Sequence, residues 1–318
     1  MISKVFFYNF WHNGDLHLAR GLIKRTVEIL KENKICNEFE YFHSCNYKTV
    51  LDIPGVIQKN SSPNFLPNFI GSRPFIKDNA LYINTWVRSG EYMSKYGLTF
   101  DCLYFSFKDC LFEHLGIDLS KEDPMLCFPE IDYSKYDISK IKYDCERPVY
   151  KNMVLVCNNN VESLQSHNFS FDSILGALSV SHPNSLFVIT NYSSIVNNLN
   201  NVFFFEDLFP NLRGVCNLNE ISYFANYCKV IVGRASGPFT FCFTKDKLFD
   251  SKKSFISFSL LGTAVSPDPR IIWKSGGFHK LFIGNYMSDK IDYLADVKEY
   301  NVFDHASICS IISTAIEK

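Results

Sequence analysis

The chain has 318 residues, 47% hydrophobic and 20% charged, which excludes a disordered protein, and its length points to two domains of about 150 residues each. With 15 glycines and 12 prolines it is neither collagen-like nor linker-dominated, and its net charge of −1 supplies no global field for nucleic acid. The unusual counts are 30 phenylalanines, 17 tyrosines and 11 cysteines, an aromatic load that builds cores without naming an activity.

In chain order, Lys4 to Phe10 reads as a strand, followed by the loop Trp11-His-Asn-Gly-Asp15 and a helix. In that helix Leu18, Leu22, Ile23, Val27 and Leu30 recur at three- and four-residue steps, opposite Arg20, Lys24, Arg25, Glu28 and Lys31. Glu38 to His43 and Ala80 to Val87 read as strands, Asn60 to Pro74 as loop, and Thr99 to Leu115 mixes strand and helix signals. Pro124 to Pro148 is irregular and rich in tyrosine, as expected of a stretch that closes one domain and leads to the next.

Beyond it, strands at Met153–Cys157, Ser185–Thr190, Val202–Phe205, Lys229–Gly233 and Phe255–Phe258 alternate with helices at Phe171–Val180 and Asn219–Tyr227 and a helix from Ser236. Ser307 to Ile316 reads as a terminal helix. Short apolar strands alternating with helices indicate parallel β/α units, whose ligands bind at the carboxyl edge of the sheet. The fold class expected is therefore α/β, with two Rossmann-like domains, 1–148 and 149–318, facing a central cleft.

The cysteines show no C-x-x-C spacing, and several sit in apolar runs, as Cys157 and Cys242 do, where a free thiol acts as a small hydrophobe. A reduced, cytoplasmic protein is expected. Met1-Ile-Ser-Lys-Val-Phe-Phe-Tyr lacks the pattern of a signal peptide, and no window reaches the ~18 apolar residues of a membrane span, which leaves peripheral membrane contact as the expected limit.

Two loops carry chemistry. In Asn13-Gly14-Asp15-Leu16-His17, Gly14 permits a sharp turn and Asp15 falls where the helix begins. Asp15 reads either as an N-cap or as a carboxylate at the strand edge that takes a proton from a sugar hydroxyl; His12 and His17 flank it and can tune it or bind an anion. In Val230-Ile-Val-Gly233-Arg-Ala-Ser236-Gly237-Pro238, a strand runs into a turn with Ser236 as N-cap and Pro238 in the first helical turn. Free N–H groups at such a start suit a diphosphate, Gly237 allows close approach, and Arg234 can neutralise the charge. Glu220, at the start of a helix, is a candidate for the ribose, and Asp268 and Arg270 read as a turn or as part of the cleft edge.

G-x-G-x-x-G, G-x-x-x-x-G-K-[ST] and G-x-S-x-G are all absent from the sequence, which weakens the dehydrogenase, P-loop and α/β-hydrolase readings. No Asp-x-Asp pair of the kind that holds a divalent ion on a sugar nucleotide occurs either, so if the chain handles a nucleotide diphosphate it is expected to do so with no metal and no further cofactor.

Together the Gly14-Asp15 loop and Ser236-Gly237-Pro238 resemble the heptosyltransferase-like bacterial glycosyltransferases of GT-B fold. Ala235 and Thr240 stand where that family usually has an Asp before the Ser/Thr-Gly and a His after it. The resemblance implies Asp15 as base, Arg234, Ser236, Gly237, Pro238 and Glu220 on the donor nucleotide, and Gly14, His12 and His17 on the acceptor side. It implies an inverting transfer from a nucleotide-sugar to a surface glycan, either lipooligosaccharide or capsule. A sugar-nucleotide epimerase of the same fold and a non-catalytic glycan- or partner-binding relative are the alternatives.

Overall fold

The computed structural model describes residues 2–59, 64–67, 72–96, 99–161, 166–234, 236–258, 284–290 and 294–318. They form two compact units, each built on its own sheet. The first runs through Asp132 and includes the helix Asn285–Lys290; the second begins at Tyr133 and includes the end of the chain.

The first unit contains β1 (Lys4–Asn9), α1 (Asn13–Glu32), β2 (Glu38–His43), β3 (Ile57–Lys59), β4 (Phe75–Lys77), β5 (Ala80–Asn84), α2 (Ser89–Tyr96) and α3 (Phe100–Leu115). Its strands lie in the order β3-β2-β1-β5-β4, all parallel except β4, which runs antiparallel to β5. The strand read at Ala80 to Val87 stops at Asn84, because the Asn84 side chain takes the Trp86 N–H that would continue the ladder. Thr99 to Leu115 resolves as α3, closed by Gly116 in the left-handed conformation. Much of the aromatic load is core or sheet face: Phe6 stacks between Phe42 and Tyr82, beside buried Tyr8 and Leu66.

Gly21 lets α1 press against the chain at Cys127–Phe128, where a Cβ would stand 2.2 Å and 2.4 Å from the two carbonyl oxygens. Backbone cannot yield as a side-chain tip can, so Gly21→Ala should lower the unfolding free energy by about 1–3 kcal/mol. Urea unfolding measures it; an unchanged midpoint would mean that this contact is not rigid.

The second unit contains α4 (Ser139–Cys145), β6 (Asn152–Cys157), α5 (Asp172–Ser181), β7 (Ser185–Ile189), β8 (Val202–Phe204), α6 (Phe205–Leu208), α7 (Leu218–Phe224), β9 (Val230–Gly233), α8 (Gly237–Phe241), α9 (Lys245–Leu248), β10 (Ser254–Phe258), β11 (Asp296–Tyr300) and the helix His305–Glu317. This sheet is all parallel, in the order β11-β10-β9-β6-β7-β8. Counted within the unit, that is the 3-2-1-4-5-6 winding of a Rossmann sheet, with its reversal point between β6 and β9. Val154, Val156, Val230 and Val232 pack there with Leu175, Ile308 and Ile312, so the alternating buried faces of the central strands pin the register. Both units are thus Rossmann-like α/β sheets.

The helix Asn285–Lys290 is held in the first unit by α3. The buried Asp101 carboxylate accepts the N–H groups of Tyr286 (2.7 Å) and Met287 (3.0 Å), and the Tyr104 and Tyr286 rings stack at 5.6 Å. Burial pushes the Asp101 carboxyl up to about 6 in spite of those two donors.

Candidate functional site

In the first sheet, strands added on either side of β1 belong to different directions of winding, so the carboxyl ends of β1 and β5 flank its reversal point. The chain is tied together there. Thr85 N–H donates to Tyr8 O at 3.0 Å, and Asn9 Nδ2 donates to Thr85 Oγ1 at 2.6 Å. Asn9 Oδ1 accepts the Trp11 N–H at 2.9 Å, and Asn84 Oδ1 accepts the Trp86 N–H at 2.9 Å.

Asp15 stands at this edge, but it is not the N-cap. That position belongs to His12, which is extended at φ −85° and ψ 161° and exposed, and α1 starts at Asn13. Asp15 occupies the third helical position, where its Oδ2 accepts the His12 N–H at 3.1 Å, the acidic half of a capping box. The chain turns at His12 rather than at Gly14, which lies within the first helical turn. Burial pushes the Asp15 carboxyl up to about 6, against smaller lowering by His12 and by the Trp86 indole. A carboxylate with that value is ionised at neutral pH yet basic enough to accept a proton. His17, one turn further along α1, is fully buried.

The second sheet presents its reversal point between Cys157 and Gly233. These two pack so closely that a Cβ on Gly233 would meet the Cys157 carbonyl oxygen at 2.6 Å. Arg234 follows, 2% exposed, and its guanidinium stitches the edge: Nη1 donates to the Asn158 and Asn159 carbonyls at 2.9 Å and 2.7 Å, and Nη2 donates to the Phe169 carbonyl. Phe169 and Phe171 flank it at 4.9 Å and 5.1 Å from ring centre to Cζ. Burial pushes its pKa down to about 10, and among the described residues no carboxylate pairs with it.

Ser236 is the N-cap of α8 as read from the sequence, at φ −97° and ψ 168°. Its side chain makes no cap bond, and its buried Oγ has no hydrogen-bond partner among the described residues. Pro238 lies in the first turn, and a Cβ on Gly237 would point into open space. Because α8 has only five residues, its dipole is small, and any anion there depends on Ser236, the local N–H groups and Arg234. Glu220 is buried in the first turn of α7. Asp268 and Arg270 lie outside the described residues, as does part of the loop from Asn60 to Pro74.

Among the described residues there is no group of three or more His, Cys, Asp or Glu placed to hold a metal ion, and no helix long and apolar enough to cross a membrane. All eleven cysteines are free thiols.

Trp86 is the site residue that strand rhythm hides, since it falls inside an apolar run. The signal for it is a repeat: Asn9-Phe-Trp11 and Asn84-Thr-Trp86 set the same Asn-x-Trp spacing at the ends of two paired strands.

No protein-family model matches the chain, and no curated protein matches it. Solved structures do. A family 9 glycosyl transferase from Veillonella parvula superposes with a TM-score of 0.45 at 11% identity, over 99% of this chain and 89% of that one. ADP-heptose LPS heptosyltransferase II of E. coli gives 0.46 at 9% identity, over 99% of each chain. E. coli heptosyltransferase WaaC with ADP-2-deoxy-2-fluoro heptose gives 0.48 at 8% identity, again over 99% of each.

Proposed function

We propose that the chain is an inverting, metal-independent glycosyltransferase of GT-B type. It moves a hexosyl or heptosyl unit from a nucleotide-sugar to a surface glycan such as lipooligosaccharide or capsule. One observation carries the reading: the two loops singled out by their residues each fall at the carboxyl edge of a Rossmann-like sheet, at its point of strand-order reversal. Every helix that follows a parallel strand starts at that edge, so it is the position at the reversal point, in both sheets, that sets these two loops apart. The resemblance of Gly14-Asp15 and Ser236-Gly237-Pro238 to the heptosyltransferase-like enzymes supports it independently.

In this reading the first unit receives the acceptor, and Asp15 removes the proton from the attacking hydroxyl. The oxygen forms its bond to the anomeric carbon as the bond to the nucleoside diphosphate breaks, inverting that centre. The second unit holds the donor. Ser236 Oγ, buried and unpartnered, and the N–H of Gly237 supply donors to the departing diphosphate. Arg234 acts from beneath, because its Nη atoms are committed to three carbonyls. Glu220 lies on the neighbouring helix for the ribose. The enzyme works in the cytoplasm, peripheral to the inner face of the membrane.

A thermal-shift series with UDP, GDP, ADP and CMP tests the donor side. One nucleotide should raise the melting temperature in a saturable way. A flat response to all four would count against the reading, and turnover of a nucleotide-sugar without any acceptor would favour an epimerase instead.

A further inference from the structure

His43 closes β2 in register with Asn9, at the edge that carries Asp15, and its imidazole is fully buried. Its Nδ1 lies 3.1 Å from the Cys45 carbonyl oxygen, and its Nε2 lies 3.2 Å from Gln58 Oε1. A carbonyl oxygen can only accept. The Gln58 amide is oriented by its own Nε2, which donates to the Val50 carbonyl at 3.0 Å and so turns Oε1 to the histidine. Acceptors thus face both ring nitrogens, an arrangement that only the doubly protonated imidazolium serves in full. The neutral ring has one N–H, and one of the two oxygens then faces a lone pair.

The Cys45 side of this arrangement reaches the site. Ser44 Oγ donates to the Phe10 carbonyl at 3.1 Å, and Cys45 Sγ donates to the Trp11 carbonyl at 3.3 Å. Phe10 and Trp11 lead directly to His12, whose N–H donates to the Asp15 carboxylate. The Gln58 side is anchored twice more, by Val50 and by the β2–β3 ladder, whereas Cys45 sits between exposed Ser44 and Asn46. Loss of one proton from the imidazolium therefore frees the Cys45 carbonyl to turn to water. Of the charged and titratable groups around the ring, Tyr41 and Cys45 belong to its own strand and loop, Arg20 and Asp15 to α1, and Lys48 and Asp52 to the segment after β2. None of them shifts His43: burial lowers its pKa below the ordinary 6.5, and the two acceptors offset part of that.

We propose that His43 is a proton-operated clamp on the edge that carries Asp15. As the imidazolium it ties the Cys45 loop to β3 and so holds the Phe10–Trp11 segment that leads into α1; as the neutral ring it keeps Gln58 and releases Cys45. The clamp closes in mild acid and is open at neutral pH, whether or not this edge performs transfer.

Nitrogen-15 NMR of the histidines in the full chain, from pH 4.5 to pH 8, tests this together with fluorine NMR of 5-fluorotryptophan. Trp11 is one of three tryptophans, and Trp11→Phe assigns its resonance. Both ring nitrogens of His43 should carry protons at the acid end, and the neutral ring should keep its proton on Nε2. The Trp11 resonance should move with the same midpoint. In Gln58→Glu a carboxylate faces the ring, so both midpoints should rise together by about one pH unit. In Gln58→Met the acceptor is gone, and both should fall. Should Gln58→Met fail to fold, Gln58→Glu, which keeps the shape of the side chain, carries the comparison alone. Protonation of Asp15 or His12 would also move the Trp11 resonance, but with a midpoint indifferent to Gln58. The clamp is overturned if His43 does not titrate in this range or keeps its neutral proton on Nδ1. It is equally overturned if the His43 midpoint follows Gln58 while that of Trp11 stays where it was.

Discussion

Asp15→Asn should melt at a higher temperature than the wild-type chain at pH 7.5, with the difference vanishing near pH 4. Burial raises the folded-state pKa from the ordinary 3.8 to about 6. Between those values the folded chain binds the proton more tightly than the unfolded chain, so stability falls as pH rises through that window and stays low above it. The difference corresponds to at most about 3 kcal/mol, less to the extent that water reaches the half-buried carboxylate. Asparagine removes the charge and still offers an oxygen to the His12 N–H, so the gain is not offset by loss of the cap. Asp101 has the same sign, but its two oxygens accept two separate N–H groups, and Asp101→Asn would set an amide NH2 against one of them, so no comparable gain is expected there. Melting temperatures of the variants from pH 4 to pH 8 decide the matter; a constant difference would mean that Asp15 is not strained by burial. Stability given up to keep a carboxylate basic at neutral pH is a common mark of a working site.

Arg234→Met should be the most damaging substitution in the second unit. The guanidinium serves three carbonyls, on residues 158, 159 and 169, at a depth where water cannot replace it. Each abandoned acceptor costs roughly 1–3 kcal/mol, while methionine recovers part by removing a buried charge, so a net loss of about 3 kcal/mol is expected. Arg234→Lys should recover only a fraction, because one ammonium cannot span two separate segments as a planar fork does. Denaturant midpoints at constant slope report the loss. The nucleotide response should disappear with it, since the Ser236 turn is built on this residue. An Arg234→Met chain with an unchanged midpoint would contradict the account of this edge.

Residues 153–258 declare their strands because parallel strands buried on both faces read as short apolar runs, such as Val154-Leu-Val and Val230-Ile-Val. Among the edge strands only β8, Val-Phe-Phe, keeps that signature. β11, Asp-Val-Lys-Glu-Tyr, carries three charged residues, and β3 and β4 are three residues each, so periodicity does not find them. Asp15 was legible as a residue but not in its role at the helix start, since His12 is a rare N-cap and stands three residues upstream of Asp15. Arg234 illustrates the other limit. A basic residue after an apolar strand reads as a partner for phosphate, and only the fold shows that the carbonyls of a neighbouring strand end claim it first.

The most direct test of the central claim pairs transfer with binding in Asp15→Asn. With the nucleotide that shifts the melt and its sugar donor, transfer should fall by about 10²–10⁴-fold while calorimetry finds nucleotide affinity unchanged. Wild-type turnover in Asp15→Asn would contradict the assignment of Asp15 as the base.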